Sequence, residues 1–405
     1  MSEKVSVPEG GTVSLESVQG DLRIGEDVTV NGKGSPPKLT VVGSVYCEGD
    51  DVFDCSVSAE SLEAEGDVTI RGDLDIKDSV SVEDGRLEVQ GSMNAKEVDV
   101  DKALIVGKDL TGEEVEVGGH LRADGNVKIQ EIDVGGSFEA KGEVEAHEID
   151  VGGSLSIDSK TNIQHLDVGG KATVAGGKIH EIDVGGSFES KGPLEFEEID
   201  VGGIVRLADG NKGGRVKVGG SFRVAGDLQF EEIDVGGKVE ISGSGEGGEM
   251  TVGGKAEIGG SLKLSENLEV GGRIEVDGEV SAKNVEIGGT LRSRKATAQE
   301  RVEVGGSIAT TEGVTARLVE IGKRGEVRGS IRADEVLIGK DARVETIYGK
   351  KILLRTGALA ENVYGEDISI ESDCRVRGET QYTNELKVNG SVSFEQPPRK
   401  VDKLP

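Results

Sequence analysis

Carboxylates are the reactive side chains this sequence repeats most regularly. Glu131, Asp133, Glu148, Asp150, Glu181, Asp183, Glu198, Asp200 and Asp234 fall in five copies of EIDVGG, and Asp167 falls in a relative, HLDVGG, at 165–170. Such groups can hold cations, work as an acid–base pair, or present a uniformly negative face. Catalysis asks for a singular pair in unlike environments, whereas these recur at a fixed spacing. A divalent cage needs oxygens converging on one point. His147, His165 and His180 fall in successive repeats, yet stand four, three and four residues before Val151, Val168 and Val184. No metal or cofactor site is therefore expected. The carboxylates read as a solvated face that discourages side-by-side aggregation, or else as a surface for docking a basic partner.

Other catalytic signatures are missing. No GxSxG, HExxH or GxxxxGK[ST] string occurs, which removes the serine hydrolase, zincin and P-loop readings. A polysaccharide-active enzyme would need aromatic platforms and long loops, and aromatics are 3% of the chain. No enzyme activity and no small-molecule substrate are expected. The net charge of −30 repels nucleic acid and anionic lipid. The chain has no apolar run of membrane-spanning length, and MSEKVSVPEGG has no apolar core of a signal peptide. Direct membrane insertion is not expected. Cys47, Cys55 and Cys374 show no paired spacing, and a reducing cytoplasm is expected.

The elements that carry the carboxylates follow from the period. The apolar residue before each Gly-Gly recurs at Val117, Val134, Val151, Val168, Val184, Val201, Val218, Val235, Val252, Val270, Ile287 and Val304. The register continues at Ile321 and Ile338, weakens at Leu354, Ile370 and Val388, and fades backward through Val100, Val82, Ala64 and Cys47. Within one period, Ile132/Val134, Phe138/Ala140 and Val144/Ala146 alternate with polar residues, separated by glycine-containing corners. Three short period-2 stretches per repeat predict an all-β fold, a triangular β-solenoid of about 17 residues per turn and about 22 turns. Stacking would align an inward column of Phe138, Leu155, Ala172, Phe188, Val205, Phe222, Val239 and Ala256. The Gly-Gly pair is expected to supply backbone conformations closed to other residues. The expected segments are less regular turns with a loop excursion at GKGSPPKLT (1–95), regular VGG turns (96–345), looser terminal turns (346–395) and a disordered tail (396–405). LADGNKGGRV and GSGEGGEM are expected as corner loops.

Residues 327–392, which begin VRGSIRADEVLIGKDARV, resemble the bactofilin, or polymer-forming cytoskeletal, domain in their short Val/Ile strands, glycine corners and turn length. The resemblance implies a right-handed triangular β-helix. It also implies nucleotide-independent filaments that grow by stacking solenoid ends, with a role in cell shape or as a scaffold. Family members join through exposed apolar strands and a terminal Phe. The matching positions here are Val388, Val392 and Phe394 at one end and Val5, Val7 and Val13 at the other. The implied partner is a second copy or a related bactofilin-like protein, with this chain as filament subunit or cap. The alternative is a non-polymerising scaffold whose acidic face docks a basic partner. The chain is several times longer than the family's usual domain, and direct membrane attachment through an N-terminal tail is not expected.

Overall fold

A computed structural model describes residues 4–405. Those residues form strands and connecting corners, with no helix among them. They gather into two compact units, one ending at Gly202 and the other spanning Gly203–Pro405. Each unit is a stack of parallel β-solenoid turns, and the two together hold about 23 turns spaced roughly 17 residues apart.

Each turn has three faces. In the turn that starts at Glu131, the first face is Glu131–Val134, the second is Ser137–Ala140, and the third begins the strand Val144–Val151. Every strand pairs in parallel with its equivalent one turn away. In the first unit, the last inward position of the first face runs in register from Val7 through Ile24, Cys47, Ala64, Val82 and Val100 to Val117. It continues through Val134, Val151, Val168 and Val184 to Val201. In the second unit the same position runs from Val218 through Ile321, Ile338, Leu354 and Ile370 to Val388. The faint anchors are thus true register positions. Val7 and Ile24 escape the periodicity because an excursion, closed by the Lys38 N–H on the Lys33 carbonyl at 2.9 Å, lengthens one turn.

The core is the tube inside the turns. Phe138, Leu155, Ala172 and Phe188 stack in register in the first unit, and Val205, Phe222, Val239 and Ala256 do so in the second. All eight are fully buried. One narrow column of aliphatic and aromatic side chains per face suffices, because each layer covers the one beneath it.

The glycine pairs work differently from the expectation. None of the VGG glycines has a positive φ. A Cβ at Gly152 would instead collide with the carbonyl oxygen of Gly135, one turn below, and one at Gly169 with that of Gly152. The pairs are required by close approach of stacked corners, which the Gly152 N–H donates across to the Val134 carbonyl at 2.9 Å. The two segments expected as corner loops are paired as well. Asn211–Val218 runs from the third face into the next first face, and Gly245–Gly247 is a third-face strand. The ring of Phe230 fills the space that a side chain at Gly247 would need, so an aromatic from the neighbouring turn covers a glycine strand. The expected terminal turns contain long strands that run around a corner, Arg343–Leu354 and Leu359–Ile370. In place of a free tail, Arg399–Lys400 pairs with Gln381 and Tyr382.

Several inward positions, such as Thr161, Ser190 and Asn211, break the apolar rule, and among the described residues Asp51 is the one buried carboxylate. Asp51 is 1% exposed and lies in register with Val68. Its Oδ1 accepts the Val28 N–H at 2.8 Å, while Oδ2 is buried with no hydrogen-bond partner. Burial, with help from Asp27 and Asp50, pushes the carboxyl from 3.8 up to about 6. A raised carboxyl favours the folded state below its unfolded value, and that advantage is lost as pH rises through the folded value. The shift corresponds to on the order of 3 kcal/mol. Relative to Asp51→Asn, the wild type should therefore lose stability between pH 4 and pH 7. Denaturation midpoints across that range check this, and parallel pH profiles would contradict it.

Candidate assembly ends and charged faces

The first described turn is open on one side. The strand Lys4–Val7 pairs with Asp21–Ile24, and Gly11–Leu15 pairs with Val28–Gly32. Among the described residues neither has a second neighbour. Val5, Val7 and Val13 are accordingly half-buried, whereas Leu22, Ile24 and Val30, one turn further in, are fully buried. The last turn is built from Glu385–Val388, Ser393–Phe394 and Arg399–Lys400, each paired with the turn before it. The final residues thus complete the third face of that turn. Val388 is 43% exposed, one of the two exposed large apolar side chains among the described residues. Val392 and Phe394 are half-buried. The six residues expected at the ends therefore lie on the outermost turns of their respective units.

The acidic columns form as the spacing requires. In the first unit Asp133, Asp150, Asp167, Asp183 and Asp200 stand in direct register. Beside them run Glu131, Glu148, His165, Glu181 and Glu198. Five aspartates succeed one another at one strand spacing, roughly 4.8 Å. Partial burial raises Asp150, with Asp167, Asp133 and Glu148 adding repulsion. Asp183 is raised by burial, then by Asp167 and Asp200. A shallow groove of about 390 Å³ lies over this stretch. His165 interrupts the glutamate column and meets Glu181 at 2.9 Å. His147 sits edge-on to His165 with ring centroids 5.5 Å apart, and His180 instead pairs with Glu197 at 2.9 Å. The three histidines share no common ligand position, and among the described residues no group of three or more His, Cys, Asp or Glu could hold a metal ion.

Asp234 has a different setting. In the second unit it stands in register between Lys217 and Thr251, and the column becomes acidic again only at Glu269, Glu286, Glu303 and Glu320. The second unit handles charge by alternation on its second face. Lys238 meets Glu240 at 3.1 Å and Glu257 at 2.5 Å, Lys255 also meets Glu257, and Arg273 meets Glu275 at 2.7 Å. Hydrogen bonds from Lys238 and Lys255 hold Glu257 down at about 2. Its stabilising contribution is present above the usual carboxylate range and is lost as pH falls from about 4.5 towards about 2.

Two features went unrecognised in the sequence. One is this ion-pair ladder, signalled only by Lys/Glu alternation at 238–240 and 255–257. The other is a second kind of corner, where a side chain replaces a backbone acceptor. Asp109 Oδ1 accepts the Asn126 N–H at 2.8 Å, and Asn126 Oδ1 accepts the Glu143 N–H at 2.9 Å. The Gly-Asn and Gly-Asp pairs at 125–126 and 226–227 are its trace.

No family model matches the chain, and neither a curated protein nor a solved structure matches it. No helix of the described residues is long and apolar enough to cross a membrane.

The aspartate column makes a direct prediction. Asp167→Asn removes the charge between Asp150 and Asp183, and each such neighbour repulsion is on the order of 1 kcal/mol without screening. The variant should melt higher than wild type at low salt, with the gap closing by about 1 M salt as the Debye length shrinks. A lower melting temperature at low salt would contradict the solvated-face reading.

Proposed function

We propose that this chain is a structural protein of bactofilin-like type, which assembles end to end into nucleotide-independent filaments or caps such filaments in the cytoplasm. The observation that carries the reading is the pair of uncovered terminal turns. Unpaired strand edges with apolar inward side chains are a template for another strand. The two ends also correspond. Val7 and Val388 occupy the last inward position of the first face. Gly11 and Phe394 occupy the first inward position of the second face, in register with Val28 and Val376. A last turn stacked on a first turn sets Phe394 against Gly11, a bulky aromatic against the smallest residue. Nothing lies within 4 Å of where a Gly11 Cβ would be, so the ring has room. Such a head-to-tail contact does not close on itself and so permits open growth.

Three buried free cysteines agree with a reducing compartment. Repeated rather than singular carboxylates agree with a non-enzymatic role. A second reading, a non-polymerising scaffold that docks a basic partner, is favoured by the acidic groove over Glu148, Asp167, Glu181 and Asp183.

Val13→Glu spoils the first turn and Phe394→Glu spoils the last, and each variant keeps one intact end. Sedimentation should show each variant alone as single chains and their mixture as one-to-one pairs. Filaments from either variant alone would overturn the end-stacking proposal. Self-paired dimers of a single variant would overturn its head-to-tail polarity.

A further inference from the structure

The outward column on the second face of the second unit changes character towards its later turns. Glu257 and Glu275 are followed in register by Arg292, Ala309 and Arg328. Up to Glu275 each carboxylate has a cation two residues earlier on its own strand, as in the Arg273–Glu275 pair. At Arg292 that flanking position is Thr290, whose hydroxyl lies 3.2 Å from the Ser307 hydroxyl. No carboxylate lies within ion-pair distance of Arg292 among the described residues. Arg328 keeps one partner, Glu326 at 3.1 Å.

Between the two arginines stands Ala309. Its short side chain leaves a notch between strands two spacings apart, roughly 10 Å. The notch opens into a groove of about 600 Å³ that is also lined by Glu275, Asp277, Ser293, Arg294 and Thr310. Ser293 is 6% exposed and its hydroxyl has no hydrogen-bond partner. Thr310 makes only a long bond of 3.4 Å to the Arg328 carbonyl. Guanidinium donors thus stand on two sides of a gap where every earlier turn of this unit has a long side chain, while Ser293 and Thr310 occupy the inward positions beside it.

We propose that this groove binds a phosphomonoester, its phosphate seated over Ala309 between Arg292 and Arg328. Guanidinium groups approaching from opposite sides suit a tetrahedral oxyanion, which offers acceptors in all directions; a carboxylate offers them on one side only. The groove has room for a sugar-sized body beyond the phosphate. The chain's net charge of −30 acts weakly here, because screening at physiological salt confines each charge to about 8 Å. Glu275, in register beside Arg292, and Asp277 are the opposing charges in the groove and limit affinity.

Titration calorimetry on the full chain tests this, with glucose 6-phosphate and inorganic phosphate as probes and sodium chloride at matched ionic strength as the control. Saturable binding of glucose 6-phosphate is expected. Arg292→Ala with Arg328→Ala should weaken it at least tenfold, as loss of charge-assisted hydrogen bonds implies. Asp277→Asn should tighten it. Ala309→Glu fills the notch with a tethered carboxylate that can pair with both arginines, so it should abolish binding without lowering the melting temperature. Equal binding of inorganic phosphate would mean that the site reads the phosphate alone; weaker binding would mean that it also reads the attached body. Heats no greater than the chloride control, or binding that survives Ala309→Glu, would overturn the proposal.

Discussion

Every turn is held by the same contact, a parallel backbone ladder to its neighbour one strand spacing away. That spacing must be met on three faces and at three corners simultaneously. The first corner meets it by removing side chains, as at Gly135 and Gly152, where a Cβ would strike the carbonyl below. The second can meet it with a side-chain acceptor, as where Asp109 takes the Asn126 N–H. The third runs as continuous strand in turns such as Val144–Val151. A solution that works at one turn works at the next only if the same residue type returns at the same place. The letter-for-letter repetition of EIDVGG is therefore a packing requirement.

The same stacking that aligns apolar side chains inside aligns charges outside. The first unit tolerates five aspartates in register, with Asp150 and Asp183 raised by burial and by their neighbours. The second unit interleaves lysine and glutamate, and Glu257 is held low as a result. The two arrangements therefore respond oppositely to acid: protonation relieves the aspartate column and dismantles the ion-pair ladder. Neither arrangement gathers ligands into a point, which suits a surface better than a reaction centre. The Arg292–Ala309–Arg328 notch is a local departure, where a missing side chain opens a gap in the ladder.

Much of this was legible in the sequence because the period is a physical repeat. The anchors, the three faces, the inward column and the acidic column of the first unit all follow from spacing and alternation. Other features were hidden for identifiable reasons. Val7 and Ile24 carry no visible register because the excursion near Lys33 lengthens one turn. Asn211–Val218 and Gly245–Gly247 look like loops because glycine lowers strand propensity, and only the structure reveals the Phe230 ring covering Gly247. The role of the VGG glycines could not be decided from composition, since positive φ and close approach both select glycine. For the ends, position was legible, while the completion of the last turn by Arg399–Lys400 was not.

Among the described residues the outermost strands Lys4–Val7 and Glu385–Val388 each pair on one side only, and the proposed assembly joins those free edges. Negative-stain electron microscopy of the purified full chain, without nucleotide and at low and high salt, tests that most directly. The account predicts filaments many chain lengths long, with high salt lengthening them as the charge of −30 is screened. Discrete particles of single-chain mass at every salt concentration would contradict it.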